Sequence, residues 1–141
     1  MKKPVLLLLA MLAFLLPSLS LARGGGGCLV EGTPVLTPSG PMPIERLQAG
    51  DKVCSLHEGR LRESRVYVQT EVVAQEILEI SAGSEKLRLT PEHPVMTGPG
   101  EFRLANHLKT GDIVYLVQNG LLHSLPIQSL HRIAVERHAF N

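Results

Sequence analysis

The stretch Pro-Val-Leu-Thr-Pro-Ser-Gly at residues 34–40 returns 60 positions later as Pro-Val-Met-Thr-Gly-Pro-Gly at residues 94–100. A second match follows at an offset of 61, where the pattern Leu-x-x-Gly-Asp-x-Val occurs at residues 47–53 and again at residues 108–114. Two copies are too few for a solenoid or a propeller. We therefore predict a single β-domain whose two halves are related by pseudo-two-fold symmetry.

The residue types in and around these copies predict an all-β fold. Short runs of aliphatic and β-branched residues alternate with Gly, Pro, Ser and Asp. The runs predicted as strands are residues 35–37, 52–56, 65–70, 72–80, 86–90, 95–97 and 113–118. Short helical turns are predicted at residues 44–47 and 104–108, each followed closely by a glycine. Asp51 and Asp112 of the two Gly-Asp turns are expected to cap their own backbone.

The first 22 residues have the three parts of a secretory signal peptide. Lys2 and Lys3 precede an uncharged apolar run at residues 5–16, and small residues follow up to Ala22. An apolar helix of this length spans about 18 Å, short of the roughly 30 Å hydrocarbon core of a bilayer. We therefore expect cleavage after Ala22, a secreted or periplasmic protein, and no stable membrane association after cleavage.

Composition and charge exclude several classes of partner. The 141 residues carry a formal net charge of +1, and the predicted signal peptide holds two of the lysines, so the rest of the chain is close to neutral. Because it has no basic run and no interleaved aromatic residues, nucleic acid is not an expected partner. The histidines lack metal-ligand spacing and a cysteine cluster, so we predict no metal and no other cofactor. We expect a monomer.

The two cysteines, Cys28 and Cys54, occupy different sequence contexts. An oxidising compartment permits one disulfide between them, and the sequence leaves open whether it forms. Cys54 lies in a predicted strand, where cysteine acts as a small buried hydrophobe. Cys28 directly follows four glycines at residues 24–27, at the point where the domain begins. Those glycines suit either a simple spacer or an accessible leader.

Two motifs resemble the Hint domain, the module shared by Hedgehog autoprocessing domains, inteins and bacterial intein-like proteins. The first is Gly-Cys-Leu-Val-Glu-Gly-Thr-Pro-Val-Leu-Thr at residues 27–37, followed by Pro-Ile-Glu-Arg-Leu at 43–47 and Gly-Asp-Lys-Val at 50–53. The second is Leu-Thr-Pro-Glu-His-Pro-Val at residues 89–95, similar to the family's Thr-x-x-His signature. The resemblance covers residues 28 to about 117 and implies a Hint-type β-domain.

The resemblance also implies a reaction and its residues. In this family the first residue, here Cys28, attacks the carbonyl of the preceding residue, here Gly27, and converts the peptide bond into a thioester by an N-to-S acyl shift. His93 is then implied to protonate the leaving amide nitrogen, and Thr90 to hydrogen-bond the same scissile peptide. Gly27 fits because it has no Cβ to obstruct attack on its carbonyl. Such a domain acts once on its own chain and is not a turnover enzyme.

The chain departs from the family pattern at its C-terminal end. Inteins end in His-Asn, whereas Asn141 follows Phe140 and has no downstream bond to cut. We therefore expect the Hint domain at residues 28–141 to be C-terminally truncated, with residues 135–141 beginning the family's penultimate strand. Full protein splicing is not expected. The half-reaction that remains is N-terminal autocleavage, with water or an external thiol as the acceptor; transfer to a sterol, as in Hedgehog domains, is not expected.

Two other functions fit the sequence. The released leader at residues 23–27 has no evident use, which favours a catalytically inactive, exported Hint-like β-module that acts in binding or as a spacer. Cys28 also follows a signal peptide, as the lipidated cysteine of a lipoprotein does. A lipobox has an aliphatic residue three positions before the cysteine, and Gly25 occupies that position, which argues against lipidation.

Overall fold

The computed structural model describes residues 27–141, which are built largely of β-strands. The strands are β1 (Leu29–Val30), β2 (Pro34–Thr37), β3 (Gly40–Pro43), β4 (Lys52–His57), β5 (Arg60–Arg65), β6 (Glu71–Ala82), β7 (Glu85–Leu89), β8 (Pro94–Gly98), β9 (Glu101–Leu104), β10 (Ile113–Gln118), β11 (Leu121–Pro126) and β12 (Ser129–Phe140). Two 3₁₀ turns lie at Ile44–Arg46 and Ala105–His107. The all-β prediction and the two helical turns are therefore confirmed. The predicted signal peptide and residues 23–26 lie outside the described residues.

Four strands form a closed ring that joins the two halves of the domain. β1 pairs with β12, β12 with β6, β6 with β7, and β7 returns to β1. β6 and β12 are the longest strands and run antiparallel, from Glu71 opposite Phe140 to Ser81 opposite Ser129. The other eight strands described form the hairpins β2–β3, β4–β5, β8–β9 and β10–β11, two in each copy of the repeat.

The internal repeat of the sequence is present in the backbone hydrogen bonds. Val66 N–H donates to Asp51 O at 2.9 Å, and 61 positions later Ile127 N–H donates to Asp112 O at 2.8 Å. Each of these bonds ties the end of a hairpin to a Gly-Asp turn. Corresponding residues thus make corresponding bonds, and the predicted pseudo-two-fold relation holds at the level of single backbone groups.

The Gly-Asp turns are capped as expected. Asp51 Oδ2 accepts from the backbone N–H of Gln48 at 2.8 Å, and Asp112 Oδ2 accepts from that of Lys109 at 3.0 Å. Since each carboxylate satisfies a backbone donor of its own turn, neither aspartate is available as part of a catalytic carboxylate pair.

The hydrophobic core is divided unequally between the two halves. The larger cluster surrounds Leu78 and Leu89, which are fully buried, and includes the second-copy residues Val95, Leu108 and Val114. The smaller cluster contains three buried residues of the described part of the chain, which are Ile44, Leu47 and Phe140. The half that contains the first copy is therefore less completely filled.

The prediction of a strand over residues 65–70 is wrong beyond its first residue. β5 ends at Arg65, and residues 66–70 connect the β4–β5 hairpin to β6. Both backbone groups of Val66 bind the Gly-Asp turn, which leaves them unavailable for a sheet ladder. β-Branched residues here favour a strand by propensity, but the backbone is already hydrogen-bonded to the turn.

The second strand of each of the four hairpins was not predicted from the sequence, apart from Arg65 at the end of β5. These strands are β3, β5, β9 and β11. β5 contains four charged residues among six, so it lacks a continuous aliphatic pattern. Two-residue turns create these strands, with positive φ at Glu58 and Gly59 and again at Asn119 and Gly120. Asn-Gly is a strong hairpin signal in a sequence, whereas Glu-Gly is not. Among residues 27–141, no helix is long and apolar enough to cross a membrane.

The capping bond of Asp51 is expected to contribute measurably to stability. Asp51→Ala leaves the Gln48 N–H without its acceptor, and we expect the free energy of unfolding to fall by about 1 kcal/mol. Asp51→Asn keeps an accepting oxygen and is expected to retain most of that stability. Urea unfolding followed by circular dichroism measures both variants, and equal losses for the two would contradict the capping role.

Candidate functional site

Cys28 immediately precedes β1 and is buried, with 7% of its surface exposed. Its backbone makes two hydrogen bonds to Thr90, the residue that follows β7. Cys28 N–H donates to Thr90 Oγ1 at 2.8 Å, and Thr90 N–H donates to Cys28 O at 2.9 Å. Because Cys28 supplies the nitrogen of the Gly27–Cys28 peptide, the Thr90 hydroxyl lies on the nitrogen side of that bond.

His93 lies on the other side of the same peptide. Its Nδ1 is 3.0 Å from the carbonyl oxygen of Gly27. A turn brings Thr90 and His93 together, since His93 N–H donates to Thr90 O at 3.1 Å. Thr90 and His93, the two defined residues of the Thr-x-x-His signature, are therefore the two ends of one tight turn, and they contact opposite sides of a single peptide bond.

The contact of His93 differs from the sequence expectation. The resemblance implied that His93 serves the amide nitrogen, whereas its Nδ1 contacts the carbonyl oxygen of Gly27. The described residues place the Thr90 hydroxyl at the nitrogen instead. A group beside the carbonyl oxygen is positioned to polarise that carbonyl and to stabilise an oxyanion.

Gly27 has no room for a side chain. A Cβ built on it would lie 2.1 Å from the backbone nitrogen of His93 and 2.5 Å from the carbonyl carbon of Glu92. Both neighbours are backbone atoms of the Thr90–His93 turn, so the clash cannot be relieved by a side-chain rotation. The position before Cys28 is therefore restricted to glycine in this geometry.

A family model described as the Hint domain matches residues 27–139. The chain belongs to the Hint domain family. The matched range contains Gly27, Cys28, Thr90 and His93 together with the whole ring of strands except the end of β12. A search of curated protein sequences finds no match to this Hint domain.

Solved structures similar to this Hint domain are intein folds. A bacterial intein-like domain from Clostridium thermocellum is 26% identical with a TM-score of 0.72, over 81% of this chain and 83% of that one. The TvoVMA intein is 17% identical with a TM-score of 0.72, over 83% of this chain and 86% of that one. A DnaB intein from Synechocystis is 14% identical with a TM-score of 0.72, over 82% and 86%. The Hint/intein fold is thus established for this chain.

The imidazole of His93 is neutral near pH 7. Its burial lowers its pKa from the usual value, and this effect outweighs the opposing effect of the hydrogen bond to Gly27 O. A carbonyl oxygen only accepts hydrogen bonds, so the 3.0 Å contact requires the proton of the neutral ring to be on Nδ1. His93 therefore presents an N–H donor to the scissile carbonyl.

The thiol of Cys28 is protonated near pH 7. Burial raises its pKa, and the nearby carboxylate of Glu92 raises it further. Only a small fraction of this thiol is therefore the nucleophilic thiolate at neutral pH. Sequence analysis missed Glu92 as part of this site, although the residue lies within the motif, directly before His93.

The second cysteine of the Hint domain is separate from this site. Cys54 is a half-buried residue of β4, and both Cys28 and Cys54 are free thiols. The disulfide that the sequence left open is therefore not formed in this structure. No group of histidine, cysteine and acidic side chains among residues 27–141 is arranged to hold a metal ion.

Substitution of Gly27 by alanine is expected to separate the scissile carbonyl from His93. The added Cβ must move away from the backbone of the Thr90–His93 turn, so the Nδ1 contact to residue 27 is lost. We expect the His93 pKa to change and any reaction at this bond to slow by about 100-fold. Nuclear magnetic resonance of the His93 ring nitrogens across pH measures the first effect; an unchanged titration would contradict the close approach.

Proposed function

We propose that this Hint domain cleaves its own chain at Gly27–Cys28. Cys28 Sγ attacks the Gly27 carbonyl carbon, a C–S bond forms, and the C–N bond to Cys28 breaks. The thiol proton ends on the α-amine of Cys28, so the step is an isomerisation that needs no co-reactant. The product is a thioester between Gly27 and Cys28.

The observation that carries this proposal is the arrangement of two polar side chains around one peptide bond. The neutral His93 ring, with its proton on Nδ1, would stabilise the negative charge that develops on Gly27 O during attack. The Thr90 hydroxyl accepts from Cys28 N–H at rest and carries its own proton, which it can donate once the nitrogen gains a lone pair. Each polar atom of the scissile peptide thus has a partner suited to its change in charge.

The thioester would then pass to an external nucleophile. Attack by water releases the segment that ends at Gly27 as an acid, and attack by a thiol releases it as a new thioester. Either route frees a domain that begins at Cys28. We propose in addition that the chain is exported, on the basis of the signal-peptide pattern at residues 1–22.

Thioester formation is tested by nucleophiles that trap it. We expect hydroxylamine or dithiothreitol to release the segment preceding Cys28, seen as a domain mass that begins at Cys28. Cys28→Ala should abolish release, and Cys54→Ala, which removes the other free thiol, should not. Intact mass spectrometry of protein made with its export signal also shows whether the unreacted chain begins at Met1 or at Arg23. Release that survives Cys28→Ala would refute the mechanism.

The raised pKa of Cys28 gives the reaction a defined pH dependence. The thiolate fraction, and with it the rate of hydroxylamine release, should keep rising with pH beyond the range where an ordinary thiol is fully ionised. Glu92→Gln removes the negative charge near the thiol, so the whole profile should move to lower pH. Burial is the larger cause of the raised Cys28 pKa, so Glu92→Gln should lower that pKa only part of the way to its usual value.

The matched control for this measurement is Glu31→Gln, which removes an exposed carboxylate of the neighbouring turn. We expect its pH profile to coincide with that of the unsubstituted chain. A Glu92→Gln profile that does not move, measured by the same mass assay, would show that the carboxylate has no influence on the thiol.

A second function remains supported by one observation. The Cys28 thiol is buried and protonated, as expected of a cysteine that packs and does not react. An inactive Hint-like module acting in binding or as a spacer would keep the fold and release nothing with hydroxylamine. The trapping experiment therefore separates the two functions.

A further inference from the structure

An open cleft in the half of the domain that contains the first copy reaches His93, whose Nδ1 contacts the Gly27 carbonyl oxygen. It has a volume of about 230 Å³, and His93 forms part of its wall. The remaining wall is mostly aliphatic and includes Val35, Leu47 and Val53, together with Phe140 from the end of β12. Gln69 and Asn141 also line it, and none of the lining residues within 27–141 has a charged side chain of lysine, arginine, aspartate or glutamate.

The corresponding space in the second copy of the repeat is largely filled. Val95 and Val114 are the counterparts of Val35 and Val53, and the space beside them has a volume of only about 50 Å³. Ile80 and Ala82 of β6 line that space and are buried. The same framework is thus filled by aliphatic side chains in one half, while in the other half it is open beside His93.

The size and lining of the cleft indicate the chemistry of its occupant. An aliphatic cavity of about 150 Å³ is large enough to bind benzene, so the cleft has room for a chain of about four to six carbons. A charged group placed there would lose hydration without gaining an ionic partner. An uncharged apolar chain would gain from burial instead.

We propose that this cleft binds the acyl acceptor of the autocleavage reaction, and that the acceptor is a small thiol carried on an uncharged aliphatic chain. The inference rests on the proposed function and adds the class of the second substrate. The acceptor sulfur attacks the Gly27 thioester carbonyl, a new C–S bond forms and the bond to Cys28 Sγ breaks. The acceptor's thiol proton ends on Cys28 Sγ, so no oxidant or reductant is involved.

The test compares two thiols of different polarity on the full chain. The chain is incubated with equal concentrations of butanethiol and mercaptoethanesulfonate together, and the early ratio of the two released leader thioesters is measured by intact mass. That ratio does not depend on how fast the Gly27 thioester forms, and it is divided by the ratio that the same two thiols give with a short glycyl thioester peptide. This division removes intrinsic reactivity. We expect butanethiol to be favoured by about tenfold, the effect of burying roughly two methylene groups. A ratio near one, or one that favours the sulfonate, would overturn the acceptor assignment.

Two valine substitutions test whether the preference arises in the cleft. Val68 lines the cleft and is 67% exposed, so Val68→Trp should obstruct the cleft at little cost to folding and bring the ratio towards one. Val117 is an exposed valine of β10 in the other half, and Val117→Trp should leave the ratio unchanged. A preference that survives Val68→Trp would place the apolar thiol elsewhere and overturn the inference.

Hydroxylamine separates failure of the inference from failure of the proposed function. If hydroxylamine releases the leader but the two thiols show no difference, only the acceptor assignment is wrong. If hydroxylamine releases nothing, no thioester forms, and the autocleavage and the acceptor assignment are both refuted.

Discussion

The paired hydrogen bonds between Cys28 and Thr90 connect the start of the domain to the turn after β7, and the geometry of the site depends on them. They fix Cys28 in register with the turn, and that register places the Gly27 carbonyl against His93. The strand ring supports this contact from both sides, because Leu29 pairs with both Leu89 and Phe140. The Gly27–Cys28 peptide bond is thereby held in one orientation.

The duplicated framework places the Thr-x-x-His residues in only one of its copies. The turn at Thr90–His93 corresponds to the turn at Val30–Thr33, and both contain the same backbone hydrogen bond of 3.1 Å. The side chain of Val30 has no polar group, whereas that of Thr90 has a hydroxyl. The backbone of the site therefore makes the same hydrogen bond as the equivalent turn of the first copy. The side chains of Thr90 and His93 distinguish the site.

The sequence predicted those features that depend only on residues close together in the chain. The repeat, the helical turns and the capped Gly-Asp turns each depend on a few neighbouring residues, and so they could be predicted. The orientation of His93 towards an oxygen could not, because it depends on how the turn meets a segment 66 positions away. The raised pKa of Cys28 could not be predicted either, since burial and the proximity of the Glu92 carboxylate exist only in the folded chain. The charged returning strand β5 has no aliphatic pattern and gave no signal of its own.

The close contact between Gly27 and the Thr90–His93 turn also affects how the domain could be joined to another protein. A side chain at position 27 would meet backbone atoms of Glu92 and His93, so the space available there is set by the fold. Any polypeptide joined ahead of Cys28 would enter the site through its own last residue. A cargo protein ending in glycine would match the junction found here, whereas one ending in a larger residue would displace the peptide bond before Cys28 from His93 and Thr90.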